Sequence, residues 1–358
     1  MKSTVNNTNL DYCEVINVDK ECEWDGIVKS FYNYDVTYLN NYVKAFFEEG
    51  EGEPLLFYFN DGITRAINVI MKRDISKLKD FKSKLAPNTW FDLSTPYGYG
   101  GFIMEGENYK LVNECYDEYC KNMGFVSEFV RFHLINGFQF NYNGLIETNS
   151  KNIIRDLDLS LEDMFMDFEH KVRKSIKKAC KAGLEIEIDT SGKRLDEFMQ
   201  IYYKTMERNN ADSSYYYSKS FFEKINNLRG NFVYFHVWFN DEIISSELVI
   251  YGSENCYSFL GGTNHEFFHL SPNNFLKYEI IKWAKDCELK RFIFGGGKKA
   301  EDGIYKYKRS FAPNGVSDFY IGKKIFDKEK YNKLVSIRNK DENFDSNSSF
   351  FPLYRGAL

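Results

Sequence analysis

The stretch FIFGGGKKAEDGIYKYKRSF, Phe292 to Phe311, sets an apolar strand, three glycines, a charged loop and an alternation of aromatic and basic residues in one short run. Glycine lets a backbone come close to a ligand because no Cβ stands in the way. Cations follow the glycines directly, so Gly295 and Gly296 read as a place of close approach and the lysines as charges that meet what approaches. On a strand, Tyr305 and Tyr307 would face one way and Lys306 and Lys308 the other, whereas a helical turn would mix them. The run leaves that choice open.

Working outward, the same alternation of strand and helix continues on both sides. Upstream lie a predicted helix over 160–182, a strand at 184–188, helices over 193–208 and near 218–228, and strands at 231–239 and 243–251 joined by Asn240-Asp241. A strand at 256–261, a helix over 272–287, the strand at 291–294 and a last strand near 316–321 complete a mixed unit over 156–325. Residues 1–155 form another unit, with strands at 55–60, 65–71, 101–104, 129–134 and 144–148 and helices over 38–48 and 108–123. Turn signals such as Asn60-Asp61-Gly62 and TPYGYGG (95–101) punctuate it. In the tail, 326–358, a polar stretch precedes FFPLYRGAL, apolar enough to dock back on the first unit.

Composition limits the function. At 358 residues, with 43% hydrophobic residues and only 6 prolines, the chain is a folded protein of about two domains. Its 26 Tyr and 33 Phe suit clefts as well as cores. A net charge of -5 excludes the general positive field of a nucleic-acid coat, so any RNA contact is local. No apolar run is long enough to span a membrane and the start lacks a signal-peptide pattern, so the expected location is the cytoplasm. Seven cysteines without a Cys-x-x-Cys pair argue against a disulfide framework and a cysteine zinc site.

Four further features carry chemistry. HEFFH, His265 to His269, matches a zinc-hydrolase pattern, but Gly261-Gly262 before it and Ser271-Pro272 after it leave barely one turn of helix, so a loop and no metal is expected. HKVRKSIKKACK (170–181) is an amphipathic helix whose His170, Lys174, Lys177, Lys178 and Lys181 form a basic stripe opposite Val172, Ile176 and Ala179, suited to phosphate or tRNA or simply to water. Glu247 interrupts the apolar strand IISSELVIY, and burial there would prepare a general base. TPYGYGG presents Tyr97 and Tyr99 on a glycine-hinged loop that would grip a ligand or make a tight turn.

Taken together, TPYGYGG, VRKSIKKACKAGLEIE (172–187), FMQIYYKTMERN (198–209), FLGGTNHEFFHLSPNNFLKYEIIKWAK (259–285) and the opening stretch resemble the FemAB-like branch of the GNAT acyltransferases. That branch includes peptidoglycan bridge-forming aminoacyltransferases and BioF-type acetyltransferase domains. The resemblance implies an α/β fold with α+β mixed sheets, in two tandem GNAT-like domains with a groove between them and without a helical hairpin arm. It implies transfer of an aminoacyl group from tRNA to an amine of a small-molecule or lipid-linked cell-envelope precursor, with no metal or resident cofactor. The alternatives are an acetyl-CoA-dependent enzyme acting on a nucleotide-linked amino sugar and, remotely, the zinc hydrolase. Lys308 takes the place of the lysine that steadies the acyl oxyanion, beside Tyr307 where phenylalanine is usual. Arg208 takes the place of an arginine that holds acceptor phosphates, flanked by Tyr215 and Tyr257. Asn273 and Asn274 open the helix whose N-terminus faces the donor, with Lys174, Lys177 and Lys178 as donor contacts. The CoA-binding Arg/Gln-x-x-Gly-x-Gly/Ala loop is missing from the strand-to-helix junction.

Overall fold

Strand FVYFHVWF (232–239) is apolar on both faces, which requires a layer of helices on each side of its sheet. The computed structural model describes residues 9–341 and 344–356 and supplies those layers. The chain divides into two units: Met1–Phe31, Thr37–Asn149 and Phe319–Leu358 make the first, and Tyr32–Val36 with Ser150–Asp318 the second. Against boundaries expected at 155 and 325, the division falls at 149/150 and 318/319.

The first unit contains β1 (Cys13–Asn17), α1 (Glu21–Lys29), α2 (Asn40–Glu48), β2 (Glu53–Asn60), β3 (Arg65–Asp74), β4 (Phe91–Ser94), β5 (Ile103–Glu105), α3 (Tyr109–Asn122) and β6 (Ser127–Arg131). Its sheet runs β1-β2-β3-β4-β6, with β5 on β3, and only the β4–β6 pair is parallel. Phe57, Phe102, Tyr116 and Phe138 meet edge-on or tilted in its core.

The second unit takes β7 (Leu145–Asp156) from Ser150 on, then α4 (Leu161–Asp167), α5 (His170–Lys181), β8 (Glu185–Asp189), α6 (Leu195–Arg208), α7 (Lys219–Asn226), β9 (Phe232–Phe239), β10 (Glu242–Tyr251), β11 (Asn255–Thr263), α8 (Pro272–Asp286), β12 (Arg291–Gly295) and α9 (Gly303–Arg309). The sheet order is β7-β12-β11-β10-β9-β8, antiparallel except for β11 and β12. Helices α5 and α8 cover one face through Val172, Ile176, Leu276, Ile280 and Ala284. On the other, Phe198 and Tyr202 of α6 pack with Phe222 and Tyr234. Gly262 permits the close approach of α6: a Cβ there would lie 2.6 Å from Thr205 Oγ1 and 2.7 Å from the Ile201 carbonyl.

The chain then returns to the first unit, where β13 (Val316–Ile325) pairs antiparallel with β6 and α10 (Lys328–Arg338) packs Tyr331 and Leu334 around Tyr354. Phe351, Leu353 and Tyr354 of the final stretch pack there too, with the Tyr354 ring buried against Phe81 and Tyr331, while Ala357 and Leu358 lie outside the described residues. The helix expected over 160–182 is two: Phe168 and Glu169 adopt extended backbone, and a Ser160 hydroxyl caps α4 by accepting from Asp163 N–H.

Candidate functional site

Two features of the sheet prepare a site in the second unit. Strands β11 and β12 pair only from Asn255–Tyr257 to Arg291–Ile293, although β11 continues to Thr263 and β12 to Gly295. A bulge between β10 and β11 places Leu248 opposite Leu260 but Val249 opposite Ser258, adding Phe259 to β11. The sheet is therefore open at its centre beyond Tyr257 and Ile293, and the polar side chains of the site gather there.

Lys308 stands on α9, the helical alternative of the opening stretch. Asp302 decides that alternative: its carboxylate caps the helix by accepting from Tyr305 N–H at 2.8 Å and gathers the preceding loop by accepting from Lys298 and Lys299 N–H. Gly295 adopts a φ of 79°, and a Cβ at Gly297 would lie 2.4 Å from Asp302 Oδ1, so the glycine run is what lets this loop fold onto its own cap. The Lys308 ammonium donates to the Gly296 carbonyl at 2.7 Å. Burial and the nearby Lys277 ammonium push the Lys308 amine down to about 8, against the pull of Glu247 and Asp302.

Glu247 is buried in the middle of β10, on the face covered by α8. Both its oxygens accept from Lys277 Nζ at 2.5 Å, and Lys277 also donates to Ser258 Oγ at 2.6 Å. The lone buried carboxylate expected of a general base is thus an ion-pair partner. Glu247 pairs directly with Lys277 and, together with Asp302, also acts on Lys308. The Tyr307 hydroxyl is buried with no hydrogen-bond partner among the described residues, and burial holds this phenol well above its ordinary range.

Other expected residues have more ordinary surroundings. Arg208, exposed at the end of α6, donates to the Thr263 carbonyl at 2.9 Å and lies over the Phe268 ring. The Tyr215 carbonyl accepts from Tyr202, leaving its ring partly exposed. Tyr257 is corrected from a groove wall to an anchor: its ring is buried and its hydroxyl donates to Asp35 Oδ2 at 2.6 Å, fastening the 32–36 segment into this unit. Asn273 and Asn274 open α8 after Ser271, whose left-handed φ of 61° turns the chain into the helix. Lys174, Lys177 and Lys178 are exposed on α5, Lys177 over the Phe165 ring. Tyr97 and Tyr99 lie in the first unit, Tyr97 stacked on Phe46 and Tyr99 edge-on to Phe319. His265–Leu270 is a short 3-10 helix, and no set of three metal-ligating side chains converges among the described residues.

Sequence reasoning missed Lys277 and Ser258. Lys277 had a signal: it falls in the buried stripe of α8 with Ile280, Ile281 and Ala284, where an unpaired lysine is not tolerated.

Comparison with known proteins matches residues 166–309 to the acetyltransferase (GNAT) domain family. No curated protein sequence matches the chain. Among solved structures, FemX aligns with a TM-score of 0.67 at 17% identity, covering 89% of this chain and 99% of its own. The C-terminal domain of a putative lysylphosphatidylglycerol synthetase from Agrobacterium fabrum aligns with a TM-score of 0.54 at 11% identity, covering 93% and 97%. A conserved protein of unknown function from Bacteroides thetaiotaomicron aligns with a TM-score of 0.51 at 11% identity, covering 73% and 86%. At these identities the likeness is one of fold. Residues 166–309, with Lys308 at their end, match the acetyltransferase (GNAT) domain family, and the chain shares its fold with FemX.

Proposed function

We propose that the protein transfers an aminoacyl group from charged tRNA to an amine of a cell-envelope precursor, in the cytoplasm. The observation that carries this reading is the Lys308 ammonium, fixed by the Gly296 carbonyl in a partly desolvated place beside Lys277. As the amine attacks the ester carbonyl, the new C–N bond forms and negative charge develops on the carbonyl oxygen. A preorganised cation in a partly desolvated place stabilises that charge more than it stabilises the neutral ester, which is the condition for accelerating the step. Tyr307 supplies a second donor, since its hydroxyl has no partner among the described residues. Collapse breaks the ester C–O bond, and the proton lost by the amine goes to the departing ribose oxygen, directly or through water. Glu247 holds Lys277 in place and contributes to the potential at Lys308.

The donor is a co-substrate, and the reading requires neither metal nor resident cofactor. Arg208 and Tyr215 are the proposed acceptor contacts, and the exposed lysines of α5 with the start of α8 the donor contacts. Fold likeness to FemX and to the synthetase domain supports aminoacyl over acetyl transfer. The acetyltransferase description of residues 166–309 supports acyl-CoA as the alternative donor. The test is transfer of a labelled amino acid from charged tRNA to a UDP-linked muropeptide, against acetyl transfer from acetyl-CoA to amino sugars. Product from tRNA alone supports the proposal, and product from acetyl-CoA alone replaces it with the alternative.

A further inference from the structure

We propose that the first unit binds a tetrahedral oxyanion, a phosphate ester or free phosphate, in a pocket built around Arg73 and Arg355. The pocket has a volume of about 490 Å³ and is lined by Lys72, Arg73, Lys77 and Arg355, with the rings of Phe47 and Phe91. Glu53 and Asp74 are the carboxylates of the lining. Lys72 meets Glu53 at 3.1 Å, while Asp74 is turned to Ser76 and to the backbone N–H of Asn88.

The two guanidinium groups share one carboxylate. Asp92 is fully buried and accepts Arg73 Nε at 2.8 Å on one oxygen and Arg355 Nε at 2.6 Å on the other, where it also receives the Tyr354 hydroxyl at 2.8 Å. Asp92 thus accepts three hydrogen bonds, two of them from the guanidinium groups. Nη2 of Arg73 and Nη2 of Arg355 are both buried and donate to nothing among the described residues. Glu51 also acts on Arg73, but it is divided with Arg131, so three guanidinium groups face two carboxylates.

Leaving buried donors unmatched costs folding free energy, and holding like charges together adds to it. Arg73 shows the strain: burial and the neighbouring Arg355 hold its guanidinium below the ordinary range. A dianion with tetrahedrally arranged oxygens removes both costs, because guanidinium groups present parallel N–H donors matched to phosphate oxygens. Lys77, exposed at the rim, adds a cation that carries no structural bond of its own among the described residues. The volume exceeds what bare phosphate fills, and Phe47 and Phe91 give an ester's organic group an apolar wall.

The test is calorimetric titration of the full chain with inorganic phosphate and, separately, with phenyl phosphate. One saturable site per chain is expected, weakened about tenfold or more in Arg355→Gln and also in the rim variant Lys77→Glu, which has no buried bond to lose. Lys308→Met should bind as the parent does. Tighter binding of phenyl phosphate than of phosphate identifies an ester as the ligand, and equal binding identifies the free anion. No saturation of the parent up to about 10 mM, or binding unchanged in both Arg355→Gln and Lys77→Glu, would overturn the proposal.

Discussion

Replacing Lys308 by methionine should remove acyl transfer and, at neutral pH, make the second unit more stable. The amine sits at about 8 against an ordinary 10.5, and that difference corresponds to about 3 kcal/mol of cost for folding with the ammonium charged. Below pH 8 both the folded and the unfolded chain hold the proton, so the whole cost is present. Between about 8 and 10.5 the unfolded chain still binds the proton while the folded chain has released it, so stability rises with pH and the cost disappears. Methionine keeps most of the stem's packing but forfeits the bond to the Gly296 carbonyl, about 1 kcal/mol, and partial solvent access reduces the electrostatic gain further. A net stabilisation of about 1–2 kcal/mol at pH 7 is expected, which for a unit of this size is a rise of about 2–8 °C in Tm. The assay is thermal unfolding of parent and variant at matched ionic strength from pH 6.5 to 10.5, beside turnover of the labelled donor. A variant less stable than the parent at pH 7, or a difference in Tm that does not shrink as pH rises past 8, would refute a strained cation at this position. Retained turnover would remove Lys308 from the chemistry.

Further expectations concern the same cluster and the donor face. Glu247→Gln should cost about 3–5 kcal/mol by leaving Lys277 buried without its partner, and Glu247→Gln with Lys277→Met should recover most of that loss in urea unfolding. In the single variant the alkaline limb of kcat/KM, set near 8 by Lys308, should move to lower pH because Glu247 supports its charge. A general base would instead lose its acid limb. Replacing Lys174, Lys177 and Lys178 together by glutamate should raise KM for charged tRNA and flatten its salt dependence while leaving Tm nearly unchanged, as befits exposed side chains.

The second unit was legible because its signals are periodic and redundant. The apolar run of β9, the amphipathic stripe of α5 and the Pro272 start of α8 each state an element type, and neighbouring turns state its ends. In the first unit β4 reads FDLS, with buried Asp92 in place of an apolar residue, and α1 offers the core only Trp24 and Val28 around a glycine. Such short elements are fixed by partners far along the chain: Asp92 by Arg73, Tyr354 and Arg355, none of which a local window contains. The glycine run marks the loop before α9, and only the resemblance to the FemAB-like branch singles out Lys308 on that helix. The Glu247–Lys277 pair could not be assembled the same way, since each half lies inside an apolar element and only the register of α8 on β10 joins them.

A second constellation in the same sheet must be weighed against the one at Lys308. Ser246 Oγ lies 2.8 Å from His236 Nδ1, and His236 Nε2 lies 3.9 Å from Asp189 Oδ2, an order of residues that resembles a hydrolytic triad. Its environment refuses the role. Ser246 and His236 are fully buried, and Asp189 is occupied by Ser191 and by the backbone N–H groups of Gly192 and Arg194. Burial pushes the imidazole down to about 4, so near neutral pH it has little capacity to take a proton from serine. The unfolded chain binds the histidine proton below about 6.5 and the folded chain only near 4, so stability falls as pH drops through that window, by up to about 3 kcal/mol. Glu128, raised to about 7 by burial in the first unit, works in the opposite direction over part of the same range. Comparison of the parent with His236→Gln cancels that contribution and isolates the histidine. The difference between their unfolding free energies should change between pH 6.5 and 4, while Ser246→Ala leaves acyl transfer intact. Loss of transfer in Ser246→Ala at unchanged Tm would make these buried strand residues part of the chemistry and displace Lys308 from its centre.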